Sequence, residues 1–210
     1  MMVSTSFLHA GIFCSPPTTE NYQWEIVKAN GLNPLLRLLQ SPYLDSISAA
    51  VSCVFNLTLR PASDSPIIEA GFLRPLVNLL AFKDSEEVQL NAAKVLGNFS
   101  ASTEKNKWAI VNAGAVQSIK ELVAEAPASI QIEMTRCIKN LSHSCMRSPF
   151  DSLLQSNRPL DEISGQLSEI GISKVLILLT NSPNSEVRRR SNAALRNIEE
   201  GEEAIIVIAT

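Results

Sequence analysis

Aromatic residues make up only 5% of the 210 positions, so any core must be built from Leu, Ile, Val and Ala rather than from rings. Histidine is scarcer still. His9 and His143 have no spaced acid or nucleophile partners, and the sequence carries no phosphate-binding loop and no paired-carboxylate motif. No enzymatic activity and no cofactor are expected. The four cysteines, Cys14, Cys53, Cys137 and Cys145, form no Cys-x-x-Cys pair, which points to reduced thiols in a cytosolic compartment. Cys137, His143 and Cys145 lack both a structural-zinc spacing and a fourth ligand, so no metal site is expected. Charge of one sign is missing too. With 18 Lys and Arg against 21 Asp and Glu, the net charge of -3 supplies no field for nucleic acid or an anionic membrane, and no nucleic-acid partner is expected. No run approaches the roughly 18 apolar residues of a membrane span. The apolar stretch from Phe7 to Cys14 lacks a positive flank, and position 2 is Met rather than Gly, so neither a secretory signal nor N-myristoylation is expected.

What is present is a repeat. Ile26-Val27-Lys28-Ala29-Asn30 recurs as Ile67-Ile68-Glu69-Ala70-Gly71, as Ile110-Val111-Asn112-Ala113-Gly114 and, more weakly, as Leu167-Ser168-Glu169-Ile170-Gly171. A second marker, Asn before an apolar residue, stands at Asn56, Asn98, Asn140 and Asn197, which lies 26, 27, 26 and 26 residues past the end of each junction. Gly or Asn is what the left-handed position just beyond a helix tolerates, so each junction reads as a short helix stopped and a second one begun. Apolar residues five and eight past the junction, such as Leu76 and Leu79, give that second helix one buried stripe. A third helix follows a polar turn, most visibly at Ser85-Glu86-Glu87, where Ser can cap and acids meet the positive dipole end. Its core columns lie two before and one after the marker Asn: Val54/Leu57, Leu96/Phe99, Ile138/Leu141 and Leu195/Ile198. Cys53 and Cys137 share the column three before Asn with Val95 and Ala194, the place of a small buried hydrophobe.

A unit of about 42 residues with one short and two longer helices is the armadillo pattern. The expected fold is all-α, a right-handed α-solenoid of about four armadillo repeats at 20–60, 61–101, 102–143 and 160–200, whose third helices line a concave groove. Residues 1–19 are expected to be a poorly ordered N-terminal segment, and 144–165, rich in Ser, Pro, Asn and Asp, a surface loop. Residues 201–210, ending in Ala204-Ile205-Ile206-Val207-Ile208-Ala209, are expected to be an incomplete repeat or tail through which the chain could self-associate. In the groove, Asn56, Asn98, Asn140 and Asn197 are candidates to bond the backbone of an extended partner, the alternative being that they satisfy local backbone. Ser52, Lys94, Arg136 and Ala193 stand one turn earlier, where a Trp ladder would grip a basic nuclear-localisation peptide in an importin-like protein. With Lys94, Arg136 and Arg189 near the Asn column instead, acidic or amphipathic segments are the expected partners.

The stretches Asn21-Tyr22-Gln23-Trp24-Glu25-Ile26-Val27-Lys28-Ala29, Ala70-Gly71-Phe72-Leu73-Arg74-Pro75-Leu76-Val77, Lys83-Asp84-Ser85-Glu86-Glu87-Val88, and Gly114-Ala115-Val116 through Lys120-Glu121-Leu122 resemble the C-terminal repeats of the vacuolar protein 8 family. The likeness spans residues 20 to about 142 well and 171 to 198 in outline. It implies a non-catalytic scaffold on the cytosolic face of the vacuole, otherwise cytoplasmic, binding adaptor proteins for vacuole inheritance, nucleus-vacuole contact or autophagy-related delivery. That family's lipidated N-terminus and upstream repeats have no counterpart in this sequence. Membrane contact is therefore expected to be indirect, or through an anchor outside this chain. Other classes compatible with an armadillo array are importin-like cargo recognition and an accessory module of a ubiquitin ligase.

Overall fold

The computed structural model describes residues 22–143 and 161–209, so the 1–19 segment and the 144–160 part of the expected loop lie outside the described residues. Four three-helix units follow one another. The first consists of α1 (Tyr22–Lys28), α2 (Leu32–Leu39) and α3 (Leu44–Leu57). A short 3-10 turn, Pro61–Ser63, leads into the second unit, α4 (Asp64–Glu69), α5 (Leu73–Leu79) and α6 (Glu86–Phe99). The third is α7 (Glu104–Asn112), α8 (Ala115–Leu122) and α9 (Ala128–Ser142). The fourth is α10 (Asp161–Ile170), α11 (Ile172–Leu179) and α12 (Ser185–Ala209).

The breaks between first and second helices sit where the repeat places them. Asn30, Gly71, Gly114 and Gly171 all take positive φ, from 58° to 92°, and Asn30 is the one non-glycine in that region among the described residues. A side chain there is strained, and Asn tolerates it better than most. The prolines of α2, α4 and α5, at Pro34, Pro66 and Pro75, fall in first turns where their missing N–H costs nothing. Third helices start on side-chain caps where the sequence offers one: Ser85 Oγ accepts from the Val88 N–H at 3.3 Å, and Asn184 Oδ1 accepts from the Glu186 N–H at 2.9 Å.

Stacking of third helices organises the core. α3 packs on α6, α6 on α9 and α9 on α12, while α2, α5 and α11 each cover the third helix of their own unit. Of the eight expected core residues, Val54, Leu57, Leu96, Phe99, Ile138, Leu141 and Ile198 are buried, and Leu195 is half-buried. Cys53, Val95, Cys137 and Ala194 are all buried. The Cys137 thiol is pushed up to about 12 by burial, so it is held as an unreactive S–H.

One expectation is corrected and one, that 201–210 is an incomplete repeat or a tail, is narrowed. The last five residues of the 144–165 segment belong to α10 and not to a loop, because Asp161 begins the first helix of unit four. The residues after Glu200 do not start a new unit. They prolong α12 to Ala209, making it 25 residues long against 14 for α3 and α6. Nothing between Ile198 and Ala204 breaks a helix as a proline or a polar turn would, and one glycine, Gly201, is tolerated at about 1 kcal/mol. The side chains of 200–209 lie outside those described, and with them the expected self-association. Among the described residues, no helix is long and apolar enough to cross a membrane.

Candidate functional site

The four marker asparagines are half-buried on the stacked third helices, three of them near a helix end and Asn197 midway along α12, and the structure ties three of the four to the preceding unit. The Asn98 amide donates to Thr58 Oγ1 at 2.9 Å. Asn140 donates to Ser100 Oγ at 3.2 Å and to the Gly97 carbonyl at 3.3 Å. Asn197 donates to Ser142 Oγ at 3.2 Å and to the Lys139 carbonyl at 3.4 Å. Each acceptor hydroxyl in turn donates to its own helix, Thr58 to the Phe55 carbonyl, Ser100 to that of Gly97 and Ser142 to that of Lys139. A hydroxyl two residues past the marker Asn is thus the partner of the next unit's Asn. Sequence reasoning missed this column, although Thr58, Ser100 and Ser142 keep a constant spacing from the markers. Asn56, in the first of the described units, is also engaged in a contact of its own.

The three cations singled out from the sequence stand in different surroundings. Lys94 Nζ lies 5.2 Å from the centre of the Phe55 ring, a cation–π contact across the seam between units one and two. Arg136 is consumed by the protein: Nε donates to Glu133 at 2.6 Å, one terminal nitrogen to Asn98 Oδ1 at 3.1 Å and the other to the Lys94 carbonyl at 3.1 Å. It can lie there because position 97 is glycine, where an added Cβ would fall 2.6 Å from the guanidinium. Arg189 is exposed and grips Glu186 with two nitrogens, at 2.8 and 2.7 Å. Arg190 joins the same carboxylate and also donates to the Ile132 carbonyl of unit three. The two arginines hold the Glu186 carboxyl down at about 2.

These contacts define a stripe. The residue just before each marker Asn faces, across the seam, the residue four before the next marker: Phe55 with Lys94, then Gly97 with Arg136. At the third seam the same two positions hold Lys139 and Ala193, both half-buried. Among the described residues the ion pairs include neither Lys94 nor Lys139. Among the described residues the stripe therefore holds two cations without a carboxylate, and Lys139 was not among those drawn from the sequence. Its column reads Phe, Gly, Lys, Arg, with no common chemistry to mark it.

Away from the groove, Asp64 at the start of α4 is 2% exposed, and its Oδ1 meets no donor among the described residues. Burial raises its carboxyl to about 6, opposed by the neighbouring Ser102 hydroxyl.

Comparison with known proteins agrees with this geometry. The model of the armadillo/β-catenin-like repeat matches residues 19–59 and 65–101. Vacuolar protein 8 of Yarrowia lipolytica is 47% identical over 178 residues, 85% of this chain and 28% of the relative. Vacuolar protein 8 of Schizosaccharomyces pombe is 45% identical over 179 residues, 85% of this chain and 30% of the relative. The chain thus spans under a third of the curated relatives it matches. A crystal structure of computationally designed armadillo repeat proteins for modular peptide recognition superposes with a TM-score of 0.77 at 25% identity, covering 96% of this chain and 80% of the other. The chain thus has the armadillo-repeat fold, and its sequence is similar to a stretch of fungal vacuolar protein 8.

Proposed function

We propose that the chain is a non-catalytic interaction scaffold that holds an extended, acidic or amphipathic segment of a partner protein against the third-helix face. The observation that carries this reading is the groove itself. Its half-buried Asn column lies beside Lys94 and Lys139, two cations that nothing in the described protein neutralises. A partner carboxylate supplies what the fold leaves out, and complementarity of this kind sets partner choice more than stability. The designed relative built for peptide recognition supports the use of such a face for extended segments. Homology to vacuolar protein 8 supports a place at the cytosolic face of the vacuole, with adaptors of vacuole inheritance, nucleus-vacuole contact or autophagy-related delivery as the partner class.

The marker asparagines enter the proposal in a changed role. Their amide donors brace the seams in three units, so they fix the spacing of the groove while their half-exposed faces border it. Arg136 and Arg189, each already paired with a carboxylate, contribute to groove shape more than to its charge.

The test is a selection of random 12-residue displayed peptides on the intact chain. Enriched peptides are expected to carry excess Asp and Glu, and to be lost on a Lys94→Glu, Lys139→Glu variant whose far-UV circular dichroism is unchanged. Retention of the same peptides by that variant would place the interface outside the groove.

A further inference from the structure

Resting on the groove reading, we infer that the groove holds two carboxylate seats, at Lys94 and at Lys139, and selects segments whose acidic residues lie about six positions apart. Three seams separate four units, and their floors differ. At the first, the Lys94 ammonium is stationed over the Phe55 ring, which attracts it without neutralising it, so its outward side stays available to an anion. The second is closed to ligands. Each guanidinium nitrogen of Arg136 makes one bond, to Glu133, Asn98 and the Lys94 carbonyl, the Glu133 carboxylate balances its charge, and the guanidinium fills the space over Gly97, so this seam presents no unpaired cation. At the third, the two facing positions of the stripe are held by Lys139 and Ala193, both half-buried, and among the described residues Lys139 joins no ion pair.

The order open, closed, open fixes a spacing. Packed helices lie about 8–10 Å apart, so seats two seams apart are separated by about 16–20 Å. An extended segment advances about 3.3 Å per residue, which makes that separation about five or six residues. Because successive side chains of an extended strand point to opposite sides, two that face the same floor are an even number apart. Six satisfies both conditions. Opposite charges within the groove do not cancel the seats, since Glu133 is bound by Arg136, and Glu186 by Arg189 and Arg190.

The experiment measures binding of synthetic 12-residue peptides, in a Gly/Ser/Thr host, by fluorescence anisotropy on the full chain at low salt. The peptides carry one Glu, two Glu three apart, or two Glu six apart. The six-apart peptide is expected to bind about five-fold tighter than either other, a margin of the size that one further partly exposed ion pair supplies. Lys139→Gln and Lys94→Gln should each reduce it to the single-Glu level, and Arg189→Gln should leave the preference intact. Equal affinity of the two-Glu peptides overturns the spacing but leaves the groove reading standing if Lys94→Gln and Lys139→Gln still weaken both. Binding of every peptide that ignores both lysine variants, or no binding of any, overturns the groove reading together with the seats.

Discussion

Asp64 carries the clearest residue-scale consequence, because the fold resists its ionisation. Its carboxyl titrates near 6 in the folded chain against an ordinary 3.8, so between these values the native state holds a proton that the unfolded chain has released. Stability therefore falls as pH rises from about 4 to about 6 and stays lower above, by at most about 3 kcal/mol. Asp64→Asn is expected to flatten that pH dependence and to raise the urea midpoint at pH 7. A variant that keeps the wild-type slope between pH 4 and 6 would exclude Asp64 as its source. The Gly97–Arg136 contact gives a change of sign. Gly97→Ala in the native background displaces a charged hydrogen-bond network and should cost about 1–2 kcal/mol. With Arg136 first replaced by Ala, the same substitution should stabilise by about 0.5–1 kcal/mol, the ordinary gain for Gly to Ala in a helix. Urea unfolding of the four proteins reads both signs.

At the scale of elements, the seams between third helices hold the array together by apolar columns and by an amide-to-hydroxyl ladder. Leu96 in α6 and Leu141 in α9 are each fully buried, and truncation to Ala leaves a cavity worth about 2–5 kcal/mol. The ladder is smaller. Asn140→Ala and Ser100→Ala should each cost about 1 kcal/mol, with a coupling of about 0.5 kcal/mol in a double-mutant cycle, since they share one bond. Additive effects would show that the bond contributes nothing of its own. The helices and their breaks were legible in the sequence because they depend on local chemistry: left-handed positions at Asn30 and three glycines, a cap at Ser85, and periodic Leu and Ile. The seams were not. Whether Arg136 is available to a partner depends on Gly97, 39 residues earlier, and nothing local at either position announces the pair. Between an incomplete repeat and a tail at 201–210 the sequence does not decide for a related reason, since the repeat pattern allows a further unit that the local residues do not enforce, and α12 runs on through Gly201.

For the whole molecule, four similar units give a surface whose backbone repeats while its side chains do not. Neighbouring units contact one another through their third helices, so the array behaves as a one-dimensional stack and its groove length follows the number of units. The relatives are more than three times longer than the matched stretch, so this face corresponds to one part of theirs. Partners are proposed to bind along the third helices. The most direct measurement is a heteronuclear NMR titration of the full chain with the peptide carrying two Glu six apart. Shift changes are predicted to concentrate in α6, α9 and α12 around Lys94, Lys139 and Ala193, with α2, α5, α8 and α11 unmoved. Changes concentrated in those second helices, with Lys94 and Lys139 silent, would contradict the account.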